Sequence, residues 1–158
     1  MIRDLERFFV ELCAVERAQE SPVVTAVTVG EGAVAVSTQQ GDVCVPVTAS
    51  RTDIWRNLDT LSPSWVQSPS WAEDPPIPPP GDADIGWVEL FYDLRYLYAL
   101  EDFGTPVRLE AVSRHGDVAW IDLATAQERR RFSVDLRAFV AASAVVEDCV
   151  LEMLRREG

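Results

Sequence analysis

The chain has 158 residues, 47% hydrophobic and 25% charged, which is the composition of a globular protein with a real core rather than of a disordered one. All 14 basic residues are arginine, a single histidine is present, and 26 acidic residues set the formal net charge at −12. That balance excludes lysine-dependent chemistry and paired imidazoles. It also argues against nucleic acid as a partner, because a duplex carries one negative charge per roughly 1.7 Å.

A domain of this length buries about 70% of the surface of its unfolded chain, so neither a metal nor a disulfide is needed for folding. Cys13, Cys44 and Cys149 are odd in number and widely spaced, without CxxC or any Cys/His grouping, and read as buried free thiols. No apolar run approaches the 18 or so residues of a membrane span, and Met1-Ile2-Arg3-Asp4-Leu5-Glu6 carries charges where a secretory segment would be apolar. The sequence therefore predicts a cytoplasmic protein with no membrane partner.

Residues 2–19 place Ile2, Leu5, Phe8, Phe9, Leu12 and Cys13 at spacings of three and four, the period of an amphipathic helix, and Ser21-Pro22 should stop it. Val23 to Val29, Ala33 to Ser37 and Val43 to Val47 are β-branched runs separated by Gly30-Glu31-Gly32 and Gln39-Gln40-Gly41-Asp42. Links this short join strands antiparallel, and Pro46, which cannot donate to a ladder, predicts that the third strand is an edge. A short helix from about Thr52 to Leu61 follows, with Ile54, Trp55, Leu58 and Leu61 on one side.

Residues 62–86 break the pattern. Ser62-Pro63-Ser64-Trp65 recurs as Ser68-Pro69-Ser70-Trp71, and seven of the ten prolines lie between Pro63 and Pro80, as in a stiff connector of polyproline II character. Trp87, Leu90, Phe91, Leu94, Leu97 and Tyr98 then restore a helical stripe that ends at Gly104. Val107 to Val112 and Val118 to Leu123 form a hairpin around Ser113-Arg114-His115-Gly116-Asp117. Arg129 to Val134 is a third strand, and Ser133 or Asp135 caps a last helix from about Leu136 to Arg156.

The fold class expected is α+β, with helices packed on antiparallel sheet in one domain over 1–158: a first half 1–61, a connector 62–86 and a second half 87–158. Both halves read helix, three strands, helix. A slide of about 84 residues puts Pro22 on Pro106, Val23 on Val107, Gly32 on Gly116 and Val34 on Val118, the pattern of a pseudo-repeat.

Catalytic motifs are missing. A serine or cysteine nucleophile needs a neighbouring base held by a third group, and the one histidine, His115, falls on an exposed hairpin tip. Gly81-Asp82-Ala83-Asp84-Ile85-Gly86 opens like a calcium loop but then places Gly86, Trp87 and Asp93 where an oxygen ligand, glycine and glutamate belong; Asp84 reads instead as the cap of the helix beginning near Gly86. No phosphate-binding glycine motif occurs, Gly30-Glu31-Gly32 being a hairpin turn. Arg129-Arg130-Arg131 reads as a set of intramolecular salt-bridge partners. No cofactor or metal is expected, while a pair of carboxylates acting as acid and base stays open as an enzymatic alternative.

The acidic balance points to a basic protein partner, a toxin or effector that this chain neutralises in the manner of an immunity protein or inhibitor, since a carboxylate-rich surface steers cationic partners. The expected contact surface is the connector: Trp65 and Trp71 as stiffened aromatic anchors, with Glu73, Asp74, Asp82 and Asp84 around them. The alternative binding role is an acidic secretion chaperone, a homodimer escorting an exported effector.

Overall fold

In the computed structural model the described residues are 2–19, 22–61, 82–101, 108–126, 128–138, 151, 152 and 155. They run α1 (Ile2–Arg17), β1 (Val24–Val29), β2 (Ala33–Thr38), β3 (Gly41–Pro46), α2 (Arg51–Asp59), α3 (Ala83–Glu101), β4 (Arg108–His115), β5 (Val118–Ala124) and β6 (Arg129–Asp135). The six strands form one antiparallel sheet of order β3-β2-β1-β4-β5-β6, with the three helices on one face, an α+β architecture.

One-sided packing explains the residue choice. Val27, Val34, Val36, Val45, Val112, Ala119, Ile121 and Val134 point into the core, where Phe8, Phe9 and Leu12 of α1, Ile54 and Leu58 of α2, and Trp87, Leu90, Phe91 and Leu94 of α3 meet them. Apart from Trp120, the residues between them on the strands face outward and are mostly small or polar, the alternation of a half-buried sheet. β3, with Pro46, is an edge strand as its sequence predicts.

Sheet order is symmetric about the β1–β4 pair, where Val27 lies opposite Val112 and Thr28 opposite Ala111. Both hairpins then use the same pairing scheme: a bulge between Val24 and Ala26 and another between Leu109 and Ala111, followed by Val27↔Val36 in one and Val112↔Ile121 in the other. The structural correspondence is thus Val24 with Leu109, Val27 with Val112, Val34 with Ala119 and Val36 with Ile121. It is one residue out of step with the slide that matches the prolines and glycines, which sets buried Val34 on the outward-facing Val118. With a side-chain period of 2, a slip of one residue exchanges core for solvent, so burial selects the structural register.

Helix boundaries depart from the sequence reading in three places. α2 starts one residue earlier, at Arg51, because Ser50 and Asp53 form a capping box: the Asp53 amide donates to Ser50 Oγ at 3.2 Å and the Ser50 amide to Asp53 Oδ2 at 3.4 Å. α3 starts at Ala83, so residues 83–86 are helical and not connector; Asp82, whose Oδ1 accepts the Asp84 amide at 2.8 Å, occupies the position before the helix that the sequence reading gave to Asp84. The chain after β6 does not enter a helix at Leu136. The Leu136 amide donates to Asp117 O at 2.9 Å and holds the chain in a turn, while Asp135 Oδ1 accepts the Arg137 amide at 3.0 Å. Residues 151, 152 and 155 are helical, and the rest of the expected last helix from 139 onward lies outside the described residues, as do the Gly104 end of the third helix and the connector 62–81.

Gly86 sits in the first turns of α3 against that turn, where an added Cβ would overlap the Leu136 carbonyl oxygen and lie 2.9 Å from its carbon. Helix propensity alone favours alanine over glycine by about 1 kcal/mol, but overpacking against backbone costs about 1 to 3 kcal/mol. Gly86→Ala is therefore expected to lower the urea midpoint, and a raised midpoint would show that α3 and the Leu136 turn are not in contact.

Candidate functional site

Beneath the sheet, the α1–β1–α3 junction holds Glu16 and the indole nitrogen of Trp87. Glu16, on the last turn of α1 and only 1% exposed, accepts from the backbone amides of Val23 at 3.1 Å and Val24 at 3.3 Å, both through Oε2. Trp87 Nε1 donates to the Val24 carbonyl at 2.9 Å. Arg17 Nη2 reaches Glu89 Oε1 of α3, with its guanidinium 5.7 Å from the Tyr92 ring, whose other neighbour is Arg95 at 3.5 Å. Cys13 is buried here as well; burial pushes its thiol up to about 12, Arg17 opposing and Glu89, Asp93 and Glu16 adding, so it is a protonated core residue and no nucleophile. Glu16 is likewise sealed from any substrate.

The outward face of the sheet lies opposite the face packed by α1, α2 and α3. Two rows cross all six strands: Asp42, Ser37, Ala26, Ser113, Trp120 and Ser133, and beside it Cys44, Ala35, Thr28, Ala111, Asp122 and Arg131. Only one large apolar side chain stands among them, Trp120. Its ring centroid lies 6.4 Å from that of His115 and 5.9 Å from the Arg131 guanidinium. Arg131 grips Asp122 with Nε at 2.7 Å and Nη2 at 3.1 Å, and this bidentate bond with its charge raises the guanidinium further above its ordinary range.

His115 is exposed at the end of β4, as its position before Gly116 predicts, with Nε2 3.3 Å from Ser113 Oγ. A serine and a histidine in contact are two parts of a triad, but among the described residues no carboxylate meets the imidazole and the pair stands on open sheet. Among the described residues no group of three or more His, Cys, Asp or Glu could hold a metal ion, and no helix is long and apolar enough to cross a membrane.

Of the predicted contact residues, Trp65, Trp71, Glu73 and Asp74 lie outside the described residues. Asp82 and Asp84 are both exposed at the start of α3 but already engaged, Asp82 with the Asp84 amide and Asp84 with Arg114 Nη1 at 2.6 Å. The arginine run behaves as its acidic surroundings suggest: Arg129 faces Glu110 at 3.4 Å, Arg130 faces Glu152 at 2.6 Å and Arg131 faces Asp122. Sequence reasoning passed over Trp120 and Glu16. Both carried a signal, since Trp120 alternates with the core residues Ala119 and Ile121, and Glu16 lies one turn on from Leu12 and Cys13 on the apolar stripe.

Trp120 is half-buried against His115 and Arg131, so Trp120→Ala should cost about 1 kcal/mol. Trp87→Phe leaves the buried Val24 carbonyl without its donor and should cost about 1 to 3 kcal/mol. Urea unfolding of the two variants decides; equal losses would mean that Trp120 belongs to the core. Searches of protein-family models, curated proteins and solved structures find no match to this chain, so its function has to be read from this surface and its charge.

Proposed function

We propose that this chain is a non-enzymatic binding protein that neutralises a basic protein partner, in the manner of an immunity protein or inhibitor, with the outward sheet face as its contact surface. The observation that carries this reading is how charge is spent. Eight arginines, at 17, 51, 108, 114, 129, 130, 131 and 137, each lie within ion-pair distance of a carboxylate of the chain itself. Their positive charge is consumed internally, and the net −12 is left to surface carboxylates.

The imbalance is strongest over the first three strands. From Ala18 to Ser50 there is no basic residue, and Glu31 and Asp42 are exposed without an ion pair among the described residues. A cationic partner is drawn to that half by long-range attraction, which raises encounter rates by about 10 to 1000-fold. The small side chains of Ala26, Ala35, Ser37 and Ala111 let it approach the sheet closely, and Trp120 supplies the aromatic anchor that such interfaces use for affinity. Exposed single-contact ion pairs such as Arg129–Glu110 contribute little to folding and are free to exchange partners.

The test is capture from a lysate of the source cells at low salt, followed by binding kinetics on the retained protein. A retained basic protein whose on-rate falls steeply with salt, and whose dissociation quickens at least about 10-fold with folded Trp120→Ala, supports the reading. A partner held as an unfolded export segment by a dimer of this chain would support the secretion-chaperone role instead. Retention of an acidic protein, or equal binding by the Trp120 variant, would overturn the assignment of this face.

A further inference from the structure

Glu16 is the one acidic residue that the fold buries among the described residues. Its position has a geometric reason: Val23 and Val24 begin β1, their amides precede the β1–β2 ladder, and a buried amide without an acceptor is costly, so α1 delivers a side-chain oxygen to them. The bonds are unevenly shared. Oε2 accepts from Val23 at 3.1 Å and from Val24 at 3.3 Å, whereas Oε1 is reached only by Val23, at 3.4 Å. Amide donors by themselves favour the charged carboxylate; what favours the neutral acid is that the carboxyl is buried away from water.

Among the described residues no cation pairs with Glu16. Among the described residues the charged groups acting on the neighbouring Cys13 thiol are Glu16 itself, Arg17 of α1, and Glu89 and Asp93 of α3, and β1 contains no titratable residue. Arg17 pairs with Glu89 through Nη2, and Glu89 and Asp93 are themselves acidic.

We infer that Glu16 is a proton-operated staple: as the neutral acid it closes the joint between α1, β1 and α3, and loss of its proton loosens that joint. Burial raises its pKa from the ordinary 4.5 to about 7, with the Val24 and Val23 amides pulling the other way. A carboxyl whose pKa is higher in the folded state binds more protons there than in the unfolded chain. Its stabilising contribution is complete below about 4.5 and lost as pH rises through about 7. Across that window the unfolding equilibrium constant should rise on the order of 100-fold from this group alone. The joint also holds Val24 through Trp87, so loosening should reach the first core strand and α3 together.

Two measurements test this. In the unaltered protein the Glu16 side-chain carboxyl carbon, followed by NMR, should titrate near neutral pH, with the Val23 and Val24 amide shifts following the same curve. In parallel, the thermal midpoint should be compared between pH 5 and pH 8 for the wild type and Glu16→Gln, which keeps a carbonyl acceptor and carries no charge. The wild type should lose more stability than the variant as pH rises; repulsion among the other carboxylates is common to both and cancels in the difference. A Glu16 titration near pH 4.5, or parallel pH dependence in the two proteins, would overturn the proposal. Should the variant fail to fold, the carboxyl titration alone decides.

Discussion

The pairing of β1 with β4 joins the two three-stranded meanders into one sheet, and everything packed on that sheet inherits its register. Val27 opposite Val112 places one apolar row under the helices. From there the alternation carries the core outward, through Val36 and Val34 on one side and Ile121 and Ala119 on the other. A slip of one residue at this central pair would turn Thr28 and Ala111 inward and Val27 and Val112 to solvent, so the register is held by the burial of both halves at once. Matching bulges near the start of β1 and β4 give the two central strands the same local irregularity, and the sheet is symmetric in its pairing although the sequences of the halves differ.

Under the central pair the helices meet the strands through a few polar bonds. Apolar contact between α1 and α3 is non-directional and would tolerate sliding. The bonds from the Val23 and Val24 amides to Glu16, and from Trp87 to Val24, are directional and set where α1 and α3 stand relative to β1. Placing a carboxylate in this position opposes the hydrophobic logic of the core, and the chain keeps it because the two amides need an acceptor that no strand supplies.

The same one-sidedness leaves a whole sheet face for function. Helix packing consumes the apolar row, and the outward rows are mostly Ala, Ser and Thr, with Asp42, Cys44, Asp122, Arg131 and one indole among them. Charge is divided across it. The strands β4 to β6 carry arginines that are paired with the chain's own acids, whereas β1 to β3 carry no base at all. Such a surface suits recognition by field and shape, which is the physical basis of the binding role proposed.

Local sequence was enough for whatever depends on local rules. Strand alternation, the glycine turns at Gly32 and Gly116 with φ of 73° and 66°, the edge position of the Pro46 strand and the stripes of α1 and α3 could all be read from spacing, and with them the α+β class. The salt-bridge role of Arg129-Arg130-Arg131 followed from the excess of acid. What escaped sequence depends on residues distant along the chain. The Leu136 turn is imposed by Asp117 and accommodated by Gly86, neither of them near it in sequence. The likeness of the two hairpins in pairing follows which face of each strand is buried and lies one residue from the match of prolines and glycines. Trp120 became a candidate anchor only when five other strands were laid beside it, and Glu16 a staple only when β1 was brought back against α1. Spacing decides which face a side chain takes, but only tertiary packing decides what that face meets.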